Sequence, residues 1–244
     1  MISNMVQPMI PEAMGRDARI KVCELVRRRP GMSVEEFQAY WCEVHGPIVA
    51  ELPGLRRYAQ SHPLPGGYRK GPLPYDGVAE LWFDDKEGLR AIAGTHEFTR
   101  AKADEANFTD TTKMVELVLD EVTLKDGPIP EGGIKSIGLV RLRRDVPPAE
   151  AHRYWAEVHG PLAVPIPQLR RYVQSHVRAG AYGAGKRPAY DGLTVTWFDS
   201  VDEMRASATT AAYAAVIEDV PRTLDPSGIP TPTLLTRELV FVDR

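Results

Sequence analysis

Two imidazoles, His45 and His159, close two copies of one phrase, Tyr40-Trp41-Cys42-Glu43-Val44-His45-Gly46-Pro47 and Tyr154-Trp155-Ala156-Glu157-Val158-His159-Gly160-Pro161. A second phrase ends on two more, His62 and His176: Leu55-Arg56-Arg57-Tyr58-Ala59-Gln60-Ser61-His62 and Leu169-Arg170-Arg171-Tyr172-Val173-Gln174-Ser175-His176. A third, Tyr-Asp-Gly, brings the carboxylates Asp76 and Asp191. Imidazole changes charge near neutral pH and serves as general acid or base. A phenol donates a hydrogen bond where negative charge develops. The set therefore suits proton transfer. Its catalytic candidates are His45, His159, Tyr58, Tyr172, His62 and His176. The substrate-binding candidates are Trp41, Trp155, Gln60, Gln174, Asp76 and Asp191.

Each candidate also has a plainer reading. A histidine before Gly-Pro can cap a helix end, and a sheet tyrosine commonly finds a partner for its hydroxyl without reacting. Asp-Gly is a strong turn signal, although the carboxylate could also orient an imidazole. The tryptophans read most simply as core. The pairs Arg56-Arg57 and Arg170-Arg171 read as ion-paired surface or as a clamp for an acidic substrate group. The chain has no phosphate loop, Rossmann glycine pattern, nucleophile elbow, HExxH or CxxC. No further ligand sits at local spacing from His62 or His176, so no metal and no cofactor is expected.

Patterning supplies the elements that would position these groups. Residues 19–28 alternate as a strand. Ser33 with Glu36 makes a capping box, and Phe37, Trp41, Val44 and Ile48 follow at helical spacing. Gly46-Pro47 predicts a break or kink just after His45, although Ile48 to Leu52 could continue the helix for a turn or two. In the strand 54–62, Arg56, Tyr58, Gln60 and His62 share one face. A Pro/Gly-rich loop over 63–74 could act as a lid. A strand at 77–83, a helix from Asp84 to about Lys102 and a strand at 113–124 complete the first order. The second half repeats it: strand 134–143, a helix entered by Pro147-Pro148, strand 168–177, a Gly-rich loop, strand 193–198, helix 201–223 and strand 233–242. Each half reads β-α-β-β-α-β. The small side chains Ala211, Ala212 and Ala214 lead us to expect a roomier pocket in the second half.

The phrases recur about 114 positions apart, too long for a solenoid repeat, so a whole domain has been duplicated. The expected division is an arm at 1–18, domains at 19–127 and 134–244, and a linker at 128–133. With 30 basic and 33 acidic residues the net charge is −3, which gives no nucleic-acid footprint or membrane patch. Cys23 and Cys42 have no counterparts in the second half, so they read as free thiols of a reducing compartment. The leader resembles no signal peptide and no run is apolar enough to span a bilayer. A cytoplasmic location is expected, with a small-molecule substrate, no nucleic-acid or membrane partner, and room for homo-oligomers of the whole chain.

The W-x-x-x-H-G-P helix end, the L-R-R-Y-x-Q-S-H strand and the Y-D-G…W-F-D strand together resemble the EthD domain, here in tandem. The resemblance covers nearly everything outside leader and linker. It implies an α+β fold: two ferredoxin-like βαββαβ domains packed sheet to sheet as an intrachain dimeric α+β barrel. That superfamily includes muconolactone isomerases, polyketide cyclases, quinone-forming monooxygenases and haem-binding members, so the likeness fixes fold better than reaction. The expected function is a cofactor-independent lyase or isomerase using His/Tyr acid–base chemistry on a small hydrophobic or aromatic metabolite. The alternatives are a non-catalytic binding or scavenging protein and a haem-using oxidase.

Overall fold

The computed structural model describes residues 19–244, so the expected arm lies outside them. The first repeat runs β1 (Ile20–Val26), α1 (Val34–Tyr40), a π-helical turn (Trp41–His45), α2 (Gly46–Ala50), β2 (Leu55–Pro63), β3 (Gly77–Phe83), α3 (Lys86–Ala91), α4 (His96–Asp104) and β4 (Val115–Lys125). The second runs β5 (Ile134–Val140), α5 (Pro148–Tyr154), a second π-helical turn (Trp155–His159), α6 (Gly160–Ala163), β6 (Arg171–Val177), β7 (Gly192–Phe198), α7 (Val201–Ser207), α8 (Ala211–Thr223) and β8 (Thr233–Asp243). The class is the expected one, α+β with two ferredoxin-like repeats. Short 3₁₀ segments occupy both loops after the histidine strands, Pro65–Lys70 and Ala179–Gly185.

Local chemistry explains the starts. Ser33 caps α1 in the predicted box: its hydroxyl accepts from Glu36 N–H at 3.1 Å, and Ser33 N–H donates to the Glu36 carboxylate at 2.8 Å. Pro148 opens α5, where a missing N–H costs nothing. The helices expected over 84–102 and 201–223 each divide in two. In the first, Gly94 takes a positive φ of 86°, and Thr95 starts a new helix by capping Phe98 N–H. In the second, Thr210 does the same for Tyr213 N–H.

Gly46-Pro47 does not break its helix. Gly46 N–H donates to the Trp41 carbonyl, five residues back, and the chain continues into α2. One residue is thereby added to the turn, which re-aims the rest of the helix by about 100°. Proline lacks an N–H, so widening the turn here loses no donor. Gly160 repeats the arrangement on the Trp155 carbonyl.

Packing groups the chain into two compact units that do not coincide with the sequence repeats. One comprises Ala18–Leu119 with Leu234–Arg244. Its strands run β4–β1–β3–β2, with β8 added antiparallel to β2 from Arg57↔Asp243 to Pro63↔Thr236. One face of β1, β2 and β3 carries Ile20, Val22, Tyr58, Ala79 and Leu81 against Phe37 and Trp41 of the helical side. The other unit is Asp120–Thr233, where β7 lies between β5 and β6. Here Val140, Leu142, Ala151 and Trp155 form a matching core.

The His-Gly phrase has its glycine for space. A Cβ on Gly46 would lie 2.3 Å from the Phe241 ring, and one on Gly160 would lie 2.3 Å from Leu124 Cδ1. Gly46→Ala should therefore destabilise the chain by about 1–3 kcal/mol through overpacking. Urea midpoints of Gly46→Ala, Phe241→Ala and the double variant check this. The double variant should lose less than the sum of the single effects.

Candidate functional site

Each π-helical turn delivers its last residue, the histidine, to a carboxylate on the second long helix of its unit. His45 Nδ1 lies 2.9 Å from Asp104 Oδ2, and His159 Nδ1 lies 2.9 Å from Asp219 Oδ2. Tyr40 and Tyr154 donate their hydroxyls to the other oxygen of the same carboxylates, each at 2.7 Å. Asn107 adds a third bond to Asp104 at 2.9 Å, and Thr223 one to Asp219 at 3.0 Å. Partial burial disfavours charge on both aspartates, but these donors outweigh it and hold them below the usual carboxylate range.

An ionised Asp fixes the tautomer: Nδ1–H donates, leaving the Nε2 lone pair. Among the described residues, Nε2 of His45 and of His159 has no hydrogen-bond partner. Burial pushes both rings down from the ordinary histidine value, partly offset by the neighbouring carboxylate. A neutral ring with a free lone pair and an orienting carboxylate is the arrangement of a general base.

The strand histidines form a second cluster in each unit. Gln60 Nε2 donates to the Trp41 carbonyl at 2.9 Å and to the Tyr58 hydroxyl at 2.6 Å, and Gln60 Oε1 faces His62 Nε2 at 2.8 Å. Gln174 repeats all three bonds, to the Trp155 carbonyl, Tyr172 and His176, at 3.0, 2.8 and 3.0 Å. The tryptophans lie against the imidazoles, with ring centroids 4.6 Å apart for Trp41–His62 and 4.2 Å for Trp155–His176. All eight residues are buried. Burial raises Tyr58, takes Tyr172 up to about 12 and takes His62 down to about 4. Thus the structure unites Tyr58, Gln60, His62 and Trp41. It does not bring that set into hydrogen-bond contact with His45, which turns to Asp104.

Asp76 and Asp191 hold the chain end of β1 and β5. They accept Arg28 N–H at 3.0 Å and Leu142 N–H at 2.9 Å, and each takes a tyrosine from the following loop. Tyr68 donates to Asp76 at 3.1 Å and Tyr182 to Asp191 at 2.5 Å. The arginine pairs are ion-paired: Arg56 with Asp84, Arg170 with Asp199, Arg57 with Glu238 and Asp243, and Arg171 with Asp126. Cys23 and Cys42 are free thiols, and burial pushes Cys42 upward, away from the reactive thiolate. Among the described residues no cluster of three His, Cys, Asp or Glu is arranged to hold a metal.

A groove of about 530 Å³ runs along α1, lined by Arg29, Met32, Glu36, Tyr40, Glu43 and Val44 among others. Tyr40 is the group it shares with the His45–Asp104 cluster. The equivalent groove beside Tyr154 is only about 260 Å³. Of these two grooves the roomier lies in the first repeat. The alanine face of Ala211, Ala212 and Ala214 does not line the second groove; Arg222 and Thr223 do.

Sequence reasoning missed Asp104, Asp219, His152, Tyr182 and the bonds from Tyr40 and Tyr154 to the two aspartates. The aspartates do carry a signal, since they are spaced like the repeated phrases. His152 carries none, because Gln38 stands at its place in the first repeat.

Fold and site together define a duplicated α+β protein with an oriented imidazole in each repeat. The model of the EthD domain matches residues 29–112 and again 143–227. This is more than half of the chain, which belongs to the EthD family. No curated protein matches the sequence. Among solved structures, an anthrone oxidase-like protein is similar in fold, with TM-score 0.60 and 14% identity over 92% of this chain and 94% of that one. An EthD family protein from Bacillus halodurans C-125 gives TM-score 0.35 and 20% identity over 41% of this chain and 95% of its own. No helix among the described residues is long and apolar enough to cross a membrane.

His62 gives a stability test. Its ring is lowered from 6.5 to about 4, so between those values the unfolded chain binds the extra proton. The contribution of the neutral ring is complete above pH 6.5 and is lost as pH falls toward 4, about 3 kcal/mol in all. Denaturant titrations of the parent and of His62→Gln should diverge over this window, with the variant less sensitive to acid. Parallel profiles would show that His62 is not held neutral.

Proposed function

We propose that the chain is an enzyme that takes a proton from a small hydrophobic or aromatic metabolite, with His45 and His159 as bases oriented by Asp104 and Asp219. One observation carries this reading: the same His–carboxylate–Tyr constellation is built twice, each time leaving Nε2 with a free lone pair. In each repeat a helical turn is widened to place that ring. π-helical turns recur at functional sites, and this one sits where the base does.

Nε2 accepts the proton, and the imidazolium that forms is stabilised by the carboxylate on Nδ1. Loss of a leaving group, loss of water or migration of the double bond then completes a lyase or isomerase reaction. Tyr58 and Tyr172 accept from their glutamines, so their own hydroxyl protons remain to bond an oxygen of substrate. Burial keeps both phenols protonated and fit for that role. The anthrone oxidase-like protein of similar fold is named for an oxidation, which also begins well from a deprotonated aromatic substrate. The first step would be common to both outcomes.

The test follows deuterium exchange from solvent into a panel of phenolic and aromatic carbonyl compounds, with oxygen uptake recorded alongside. The parent should catalyse exchange, and His45→Ala with His159→Ala should lower it by about 10²–10⁴-fold. Asp104→Asn with Asp219→Asn should lower it less while leaving the fold intact. Exchange at the parent rate in the folded double histidine variant would sink the proposal. Saturable binding with no exchange in the parent would favour a scavenging protein instead.

A further inference from the structure

The second repeat contains a buried chain of polar groups that the first lacks. It runs Asp191, Tyr182, His152, His176, Gln174. Tyr182 Oη lies 2.5 Å from Asp191 Oδ1 and 2.8 Å from His152 Nε2. His152 Nδ1 lies 2.9 Å from His176 Nδ1, and His176 Nε2 lies 3.0 Å from Gln174 Oε1. The orientation of Gln174 is settled by its amide nitrogen, which donates to the Trp155 carbonyl and to Tyr172. His152, His176 and Gln174 are at most 1% exposed, and Asp191 is 5% exposed.

Each of the four links needs one hydrogen. In their ordinary states at neutral pH, the ionised Asp191 brings none and Tyr182, His152 and His176 bring one each. Four links share three protons. With three, one link must set two acceptors face to face and the buried cluster carries one negative charge. A fourth proton completes every link and brings the cluster to neutrality. Leaving a buried polar contact unsatisfied costs about 1–3 kcal/mol, so both hydrogen bonding and charge favour the fourth proton.

We propose that this chain is a proton store: the resting second repeat holds one proton beyond the ordinary states of its residues, shared along His152 and His176. Burial takes an imidazolium at His152 alone down to about 3. The filled chain is not a lone imidazolium, because Asp191 balances it through Tyr182. Other charges near the chain include Arg187, which acts on Tyr182, and Arg141, which lies over the ring of Tyr190 next to Asp191. Tyr182 is the half-buried member and hence the exit. Passing its hydrogen to a basic oxygen outside, it takes the His152 Nε2 proton in return. His152 then keeps its proton on Nδ1 and the chain returns to three.

The first repeat is the internal control. Gln38 replaces His152 and turns to the Pro63 carbonyl at 3.0 Å. Two separate links remain, Tyr68 to Asp76 and His62 to Gln60, with one proton for each. Nothing is stored there. The inference concerns the resting protein and does not rest on the reaction proposed above.

Histidine side-chain ¹⁵N–¹H correlation spectra of the full chain at about pH 7.5, above the ordinary histidine value, decide the matter. Three of the four ring nitrogens of His152 and His176 should carry hydrogen in the parent. Tyr182→Phe cuts the chain to two links and should leave two, and isoelectric focusing should find that variant one charge more negative. His152→Gln should show the same charge change. Two protonated ring nitrogens in the parent would overturn the proposal, as would an unchanged charge in both variants.

Discussion

Much of each unit depends on one hydrogen bond, from the side-chain amide of Gln60 or Gln174 to the carbonyl of Trp41 or Trp155. That carbonyl heads the π-helical turn and also accepts the glycine N–H five residues on. The amide thus fastens a widened helix turn to a strand at a fully buried point, where an unmade bond would be costly. Gly77 and Gly192 make the approach feasible, since a Cβ at either would come within 2.3–2.7 Å of the indole ring.

Fixing the amide fixes its other end. Oε1 must face the strand histidine, so the protonation of His62 Nε2 is set by a bond made to the helix. On the far side of the same turn, the added residue carries His45 away from the strand and onto Asp104. In the first repeat one constraint therefore separates two imidazoles with different surroundings: His45 beside a carboxylate and His62 held neutral by burial. Pairs of titratable groups pushed apart by environment mark acid–base sites.

The fold was legible because its signals are local and were written twice. Capping at Ser33, the proline entry of α5, strand alternation around Tyr58 and the Gly77–Phe83 strand all follow from near neighbours. The widening of the helix turn before Gly46-Pro47 was not legible. It depends on Gly46 N–H reaching Trp41 and on the distant Gln60, neither of which has a periodicity. The partners of His45 were hidden for the same reason: Asp104 reaches it only through the docking of α4. The pairing of β8 with β2 could not be read either, although β8 itself was, since pairing partners of edge strands are chosen by tertiary packing.

Duplication explains why the two repeats could part. The helix–strand fastening and the His–Asp pair occur in both, so each unit keeps its own core and its own oriented imidazole. Position 38 in the first repeat and 152 in the second lie outside that shared set. Glutamine there can satisfy itself on a backbone carbonyl, while histidine has a second ring nitrogen to satisfy and finds Tyr182. The arginines before the first helix diverge likewise. Arg143 and Arg144 are bound by Asp145 and Asp225, beside the smaller groove. At the matching place Arg29 lines the larger one, followed by Pro30 and Gly31. Divergence has thus fallen on groove residues and on the contacts around His152. The bonds that fasten helix to strand are the part neither repeat can change alone without leaving a buried carbonyl short of a donor.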